Sequence, residues 1–348
     1  MAWLRTDGKW IVDNEGNMVI LRGANFMGYE FGAWNQHTEE DYARMAGWGF
    51  NVVRLPITWH YIEPQPGVYN ESYFTNYVDR DIVWAKKYGI YIILDMHQWY
   101  WSPHFTFFSR WGEKGNGLPT WMSEIYPNSM EGLIQAYTDF WLGMGPNATV
   151  ADEINPSMKD RFRAMWKYVA TRYVNESTIA AYELFNEPFQ GNISTPEHAN
   201  YLYSFYEKLV SDIRTIDSKH IIAYQPTAGT QNKYARLINH KNILFTFHFS
   251  DLRQNYSGIA SHLETIFYNN YYTYIKDWNT PFWIGEFSTS TEYSNATCGL
   301  WVRDAVNIFR NYDLSWTWWT YYRSDWHSYA LCYANGTERT ELTEYLKS

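Results

Sequence analysis

The order of elements predicted from this 348-residue sequence indicates a (β/α)8 barrel, the TIM barrel of the α/β class, formed by one domain over residues 1–348. Three observations predict this fold. Short β-rich segments alternate with helical patterns along the whole chain, eight such segments can be identified, and no linker or short repeat separates them. The length agrees, because barrels of this kind occupy roughly 250 residues, and more when loops are inserted.

The elements follow in order from the N-terminus. An N-terminal β-hairpin is predicted first, with residues 4–12 as one arm, a turn at 14–17 and a return at 18–21. Thr38 and the acidic residues after it predict a helix start, and residues 76–88 form a helical pattern that ends at Gly89. Further helices are predicted at 156–173, 196–216 and 301–312, and the barrel strands at 19–25, 51–56, 90–97, 180–187, 221–225, 243–248, 282–286 and 315–320.

A long loop insertion, residues 98–155, follows the third barrel strand. It is too long for a plain connection, and it contains five tryptophans. In barrels of this type the loops after the strands carry the functional groups. We therefore expect the insertion to border the site, as a segment packed by its own aromatic residues.

The composition narrows the function classes. Aromatic residues make up 20% of the chain, with 19 Trp and 31 Tyr, and their flat apolar rings suit the faces of sugar rings. The net charge of -9 argues against nucleic acid as a partner, because phosphates demand clustered Lys and Arg. No apolar run approaches the roughly 18 residues that a membrane span requires. A carbohydrate partner is thus favoured.

Polar residues stand where the apolar barrel strands end, as a barrel-mouth active site requires. These residues are Arg54, His97, Asn186, Glu187, His248, Glu286 and, on the last strand, Trp319. Two carboxylates across a barrel mouth have a well-known use on sugars: one protonates the leaving oxygen, and the other attacks the anomeric carbon or activates water.

The other strand-end residues fit this chemistry. Arg54 is the cation expected to keep a carboxylate ionised, and Asn186 is expected to donate to the sugar 2-hydroxyl. His97 and His248 are expected to hold hydroxyls or to fix the carboxylates, and Trp319 to form the floor below the cleaved sugar. Further candidate sugar platforms are Trp34, Trp59, Trp99, Trp101 and Trp326. The remaining histidines lack ligand spacing, so no metal and no cofactor are expected.

The strand ends also carry a resemblance to a known family. The segments concerned are Val52-Val53-Arg54-Leu55-Pro56, Asp95-Met96-His97, Asn186-Glu187-Pro188, His248 and Gly285-Glu286-Phe287, together with Leu21-Arg22-Gly23-Ala24-Asn25 and Gly89-Ile90-Tyr91-Ile92-Ile93. They resemble glycoside hydrolase family five, the cellulase family of the retaining clan A, in order and over nearly the whole chain. The resemblance implies that Glu187 is the acid/base and Glu286 the nucleophile.

One departure concerns the sixth barrel strand. The family usually has His-x-Tyr there, and the tyrosine contacts the nucleophile, whereas this chain reads His248-Phe249-Ser250. Ser250, or a loop tyrosine such as Tyr256, is a candidate substitute.

The expected function is a retaining β-glycoside hydrolase acting on β-linked glucan, above all an endo-β-1,4-glucanase. Within the same resemblance, β-mannanase, exo-β-glucosidase and an endoglycoceramidase-like activity remain open. The segments 117–121 and 136–141 resemble the members that cleave glycolipids. A non-catalytic carbohydrate-binding barrel and a transglycosylase are further alternatives. The protein is expected to be a monomer.

Seven Asn-x-Ser/Thr sequons indicate a secreted glycoprotein; they begin at Asn70, Asn147, Asn175, Asn192, Asn255, Asn295 and Asn335. The first residues do not resemble a signal peptide. The protein is therefore intracellular, or its signal peptide is not part of this sequence; the sequons favour the second, an extracellular protein. In that case Cys298 and Cys332 are expected as a possible disulfide.

Overall fold

A computed structural model describes residues 1–108, 114–152, 156–250, 256, 258–289, 295–324 and 329–347. Eight parallel strands close into a barrel, in which each strand pairs with the next along the chain and the last pairs with the first. These strands are β3 (Arg22–Phe26), β4 (Val52–Ile57), β5 (Tyr91–Met96), β6 (Ile179–Glu183), β7 (Ile221–Tyr224), β8 (Ile243–Ser250), β9 (Phe282–Ser288) and β10 (Ser315–Tyr321). The predicted (β/α)8 barrel is confirmed, and each predicted strand overlaps an observed one.

Helices surround the barrel. In the described part of the chain they are α1 (Glu39–Gly47), α2 (Trp59–Ile62), α3 (Glu71–Tyr73), α4 (Asp79–Lys87), α5 (Met130–Leu142), α6 (Met158–Tyr173), α7 (Thr195–Arg214), α8 (Ala260–Asn270), α9 (Asn295–Asn311) and α10 (Thr340–Leu346). Thr38 and Asp41 form a capping box at the start of α1. Within the described ranges, we find no helix that is both long enough and apolar enough to span a bilayer.

The N-terminal hairpin is present, but its turn lies earlier than the sequence predicts. β1 (Arg5–Asp7) pairs antiparallel with β2 (Trp10–Val12), so the chain reverses at Gly8, where φ is +56°. The predicted turn at 14–17 exists as a second reversal, which a bridge between Val12 and Met18 closes. Glycine favours the first reversal because it adopts a positive φ at no steric cost.

Two apolar cores lie on either side of the sheet. The larger core fills the space between the strands and the helices. The smaller core fills the lumen with Val52, Ile93, Leu244 and other strand residues, and the hairpin contributes Leu4 and Ile11 to it. The hairpin therefore packs against the lumen core, and the polar groups of the lumen lie above an apolar floor.

The insertion after β5 packs on the barrel through aromatic side chains, as predicted. The Trp101 ring stacks on Tyr137 of α5 at 4.8 Å and on Phe185 at 5.5 Å. The Trp141 indole donates a hydrogen bond of 2.7 Å to the Phe189 carbonyl oxygen. The insertion is thus anchored beside residues 185–189, which follow β6.

Candidate active site

Arg54 is the central cation of the site. Its guanidinium is fully buried and donates from Nε to Glu183 at 2.6 Å and from Nη1 to Glu286 at 2.6 Å. Nη1 also reaches Asn25 at 2.8 Å, while Nη2 reaches Asn186 at 2.7 Å and Asp95 at 3.0 Å. Arg54 therefore orients three carboxylates and two amides at once.

The strand register explains this arrangement. Asn25 lies opposite Arg54 across β3 and β4, and Asp95 lies opposite Glu183 across β5 and β6. Alternation in β4 directs Arg54 and Val52 into the lumen, whereas Val53 and Leu55 belong to the outer core.

Arg54 lies deeper than the sequence suggests. β4 continues to Ile57, so Arg54 is not the last residue of its strand. Its guanidinium stands 6.0 Å from the centre of the Trp283 ring. Burial raises the pKa of Glu183, and the nearby Arg54 opposes that rise. The result is a charged layer inside the barrel, directly below the mouth.

Glu286 and His248 are neighbours in this mouth. They occupy paired positions in the register of β8 and β9. The His248 Nδ1 atom lies 2.7 Å from Glu187 Oε1 and 3.6 Å from Glu286 Oε2. His248 thus stands between the two carboxylates and contacts the first more closely.

Glu187 follows β6 in a strained backbone conformation. Its φ of +43° lies in the left-handed region, which costs a non-glycine residue roughly 1–2 kcal/mol. Two contacts hold this backbone: its N–H donates to Gln225 Oε1 at 3.0 Å, and its carbonyl accepts from Gln98 Nε2 at 2.8 Å. The side chain remains 47% exposed, as a group that must meet a substrate requires.

The separation of the two carboxylates is short. A carboxylate oxygen of Glu187 and one of Glu286 lie within 4.8 Å of each other. Retaining glycosidases place these groups about 5–5.5 Å apart, and inverting ones about 6.5–9.5 Å. The geometry therefore fits direct attack on the sugar by one carboxylate rather than attack by a water molecule that the carboxylate activates.

His97 and Trp319 form one wall of the mouth. Their rings are nearly parallel, with centres 5.7 Å apart and 8° between the planes. His97 Nδ1 lies 2.6 Å from Asp95, which fixes the imidazole. Asn186 is held at both ends, since Oδ1 accepts from Arg54 and Nδ2 donates to the Gln98 carbonyl at 3.1 Å.

The electrostatics of the two histidines follow from their carboxylate neighbours. Burial alone would lower the pKa of His248, but the charges of Glu286 and Glu187 outweigh it and raise the pKa. The same competition, with Asp95 as the main carboxylate, raises the pKa of His97. Burial would raise the pKa of Glu187, yet its hydrogen bond and charge interaction with His248 lower it.

The structure contradicts the prediction that Trp59 and Trp101 are sugar platforms. Trp59 is fully buried, its indole donates to Glu63 at 2.7 Å, and it packs against Phe162, so it is a core residue and not a sugar platform. Trp101 is buried under α5.

The other aromatic candidates have different outcomes. Trp34 and Trp99 are partly exposed; Trp34 stacks on Tyr77 at 4.4 Å, and Trp99 contacts Phe31 edge-on at 6.4 Å. They remain candidate platforms. Trp326 lies outside the described residues.

The expected disulfide is wrong, because Cys298 and Cys332 are buried thiols that are not bonded to each other. Cys298 contacts the Thr289 hydroxyl at 3.3 Å, and Cys332 contacts Arg44 at 3.1 Å. Each thiol is thus packed among partners of its own.

Tyr256 does not replace the tyrosine that the family usually has on the sixth barrel strand, because its hydroxyl donates a hydrogen bond to Asp304. Ser250 is exposed at the end of β8. Arg54 and His248 are the groups that flank Glu286 in the structure.

Three residues of the mouth have side chains of the kind that can bind a metal ion. Among the described residues, Glu187, His248 and Glu286 bring potential ligand atoms within 4.8 Å of one another. The Arg54 guanidinium at 2.6 Å from Glu286 already supplies the positive charge there, and a cation would be repelled by it. The set fits a proton-transfer site better than a metal centre.

Sequence reasoning missed four polar residues of this network. Asp95 and Gln98 flank His97 at the end of β5, Glu183 is the last residue of β6, and Gln225 is the last residue of the predicted strand 221–225. A signal existed for each, since all four are polar residues in or directly after buried strands.

A (β/α)8 barrel whose mouth holds two carboxylates at this spacing defines a protein of the glycoside hydrolase class. The chain belongs to the cellulase family, glycosyl hydrolase family 5, whose model matches residues 12–325.

Individual relatives agree with this assignment. The chain is 25% identical over 255 residues to an endoglycoceramidase of Hydra vulgaris, covering 62% of this chain and 47% of that one. It is 27% identical over 206 residues to endoglucanase B of Acetivibrio thermocellus, covering 53% and 29%. The chain thus spans half or less of the length of these curated relatives. Endo-glycoceramidase II from Rhodococcus sp. has a similar fold, with a TM-score of 0.82 and 24% identity over 97% of this chain and 80% of that one.

Proposed function

We propose that this protein hydrolyses β-glycosidic bonds by a retaining double displacement, with glucose at the reacting position. The observation that carries the proposal is the pair of carboxylates, Glu187 and Glu286, whose oxygens approach within 4.8 Å above the buried Arg54. This spacing supports direct attack by one carboxylate on the sugar.

The roles follow from the environment of each carboxylate. Arg54 orients Glu286 at 2.6 Å, so Glu286 attacks the anomeric carbon while Glu187 protonates the departing oxygen. Water, deprotonated by Glu187, then cleaves the glycosyl–Glu286 ester and returns the proton to Glu187. Asn186, fixed by Arg54 and by the Gln98 carbonyl, retains an amide hydrogen for the sugar 2-hydroxyl.

β-1,4-Glucan is the first candidate substrate, so that the enzyme would act as an endoglucanase. The open side chain of Glu187 and the aromatic wall of His97 and Trp319 support a polysaccharide that passes through the mouth. Endoglucanases of Acetivibrio thermocellus are among the relatives.

A glycolipid is the second candidate, favoured by a specific feature of the insertion. Five of the fourteen large apolar side chains that are exposed in the described chain lie in it: Phe107, Ile125, Met130, Leu142 and Val150. Exposed apolar groups beside an active site suit a substrate with a lipid leaving group. Endoglycoceramidases of Hydra vulgaris and Cyanea nozakii are also among the relatives.

A hydrolysis panel tests both proposals. Carboxymethyl-cellulose, lactosylceramide in detergent, mannan and an aryl β-glucoside are incubated with the protein and with Glu286→Gln. We expect turnover of the first or second substrate and loss of it in the variant. Turnover of mannan or of the aryl glucoside alone would overturn the substrate proposals, and unchanged hydrolysis by Glu286→Gln would remove Glu286 from the mechanism.

We also propose that the protein acts outside the cell, with support from exposed asparagines in three sequons, Asn175, Asn192 and Asn335. Expression with a secretion signal in a eukaryotic host tests this. A mass decrease on treatment with an N-glycanase is expected, and a secreted product without glycan would contradict it.

A further inference from the structure

We propose that Gln225 is a positioning residue for proton transfer, and that its amide holds His248 in the neutral tautomer that orients the acid/base Glu187. This inference rests on the proposed function and concerns one step of it. Gln225 directly follows β7 and is 3% exposed. Its side chain contacts every group that the proposal requires.

The orientation of the Gln225 amide is determined by its neighbours. Its Oε1 atom lies 3.0 Å from the backbone nitrogen of Glu187, which can only donate. Its Nε2 atom lies 2.6 Å from Glu183 Oε1, which accepts. A flipped amide would place its NH2 group against a backbone N–H, so only one orientation satisfies both ends.

This orientation decides the tautomer of His248. Gln225 Nε2 lies 3.0 Å from His248 Nε2, and an amide nitrogen can only donate. His248 Nε2 must then accept, which places the ring proton on Nδ1. Nδ1 lies 2.7 Å from Glu187 Oε1 and therefore donates to it.

This tautomer of His248 determines which oxygen of Glu187 carries the acidic proton. Because Oε1 of Glu187 accepts from His248, the proton of the acid form is directed to Oε2, the oxygen left for the departing group. Gln225 also holds the backbone of Glu187, where φ is +43°. One side chain thus fixes both the main chain and the proton-bearing oxygen of the acid.

Gln225 also opposes a charge on His248. The charged groups around this ring are Glu187, Glu286 and Glu183, which favour the imidazolium, and Arg54, which disfavours it. An imidazolium would favour ionised Glu187 and so deplete the acid form. Protonation at Nε2 would bring an N–H against the Gln225 NH2 group, so the amide favours the neutral ring.

The experiment compares leaving groups. Gln225→Met keeps the length of the side chain and removes both hydrogen-bonding functions; Gln225→Leu removes both functions with a side chain of different shape. Each is assayed on a 2,4-dinitrophenyl β-glycoside, which departs without a proton, and on a phenyl β-glycoside, which needs one. The exposed Gln65→Met serves as the matched control.

For both Gln225 variants we expect kcat/KM on the phenyl glycoside to fall about 10- to 100-fold, part of the 10²–10⁴ that acid catalysis supplies, with less than about threefold loss of kcat/KM on the dinitrophenyl glycoside. The alkaline limb of the kcat/KM profile should move to lower pH in Gln225→Met, because a protonated His248 favours ionised Glu187.

If Gln225 were merely structural, its replacement would reduce the cleavage of both glycosides equally and leave the alkaline limb of the pH profile unchanged. That result would overturn the inference, and so would full activity of both variants. If the unmodified protein cleaves neither of these glycosides nor carboxymethyl-cellulose nor lactosylceramide, the proposed function fails instead. A Gln225→Met variant that does not fold leaves Gln225→Leu to decide.

Discussion

Replacing Arg54 by lysine tests the buried charge network at its centre. The guanidinium makes five contacts, with Asn25, Asp95, Glu183, Asn186 and Glu286, at 2.6–3.0 Å. Four of these contacts are hydrogen bonds, and lysine keeps the charge but has three donors, so at least one hydrogen bond is lost. Each lost hydrogen bond to a buried charged group costs about 1.5–3 kcal/mol, which is the smallest destabilisation expected.

Urea unfolding followed by tryptophan fluorescence measures this loss of the free energy of unfolding. Arg5→Lys is the matched control, because Arg5 pairs with Asp7 at the surface, where an ion pair contributes about 0–1 kcal/mol. The kcat of Arg54→Lys should also fall more than tenfold, since Glu286 loses an oriented donor. A destabilisation below about 1 kcal/mol with unchanged kcat would contradict this role of Arg54.

Three further predictions follow from burial. Trp59→Ala should cost about 3–5 kcal/mol in thermal unfolding without a selective rise in KM, because Trp59 lies in the core; a rise in KM alone would contradict this. Thiol titration should find two thiols, Cys298 and Cys332, that react only after denaturation, and titration of none would restore the disulfide. Burial opposes ionisation of Asp217, but the contact with His220 outweighs it and lowers the pKa from 3.8 to about 2; stability from this group is present above pH 4 and is lost as the pH falls towards 2. Asp217→Asn should therefore flatten the acid-unfolding curve below pH 4, and an unchanged curve would contradict the linkage.

The barrel could be predicted because its signals are local. Each strand is a short apolar run bounded by turn residues, and Thr38 with Asp41 marks a helix start whose capping box the structure contains. The hairpin turn was misplaced because Gly8 in a short segment competes with the more turn-rich 14–17. Such a choice depends on how the arms pack on the lumen, which a local pattern does not contain.

The site was predictable where a polar residue ends a predicted apolar strand, and less so elsewhere. Glu187 and Glu286 could be named from strand ends and from the family resemblance. Trp59 could not be separated from a sugar platform, because burial depends on Phe162, a residue distant in sequence. The disulfide between Cys298 and Cys332 was wrongly predicted for the same reason, because disulfide formation depends on the distance in space between residues that are far apart in sequence.

The contacts of Gln225 could not be predicted from the sequence. Its partners Glu183, Glu187 and His248 come from two different strands, β6 and β8, and their extensions. Only the closed barrel brings them together, and only hydrogen-bond geometry assigns donor and acceptor. The sequence therefore predicts the chemistry of each side chain but not the hydrogen bonds that connect these side chains.

We propose that Glu286 forms a covalent bond to the sugar while Glu187 supplies and takes the proton. Incubation with a 2,4-dinitrophenyl 2-deoxy-2-fluoro-β-glycoside, followed by peptide mass spectrometry, tests it most directly, since the fluorine slows hydrolysis of the intermediate. We expect one fluoroglycosyl group on the peptide that contains Glu286. A label on another residue, or no label on an enzyme that hydrolyses the parent glycoside, would contradict it.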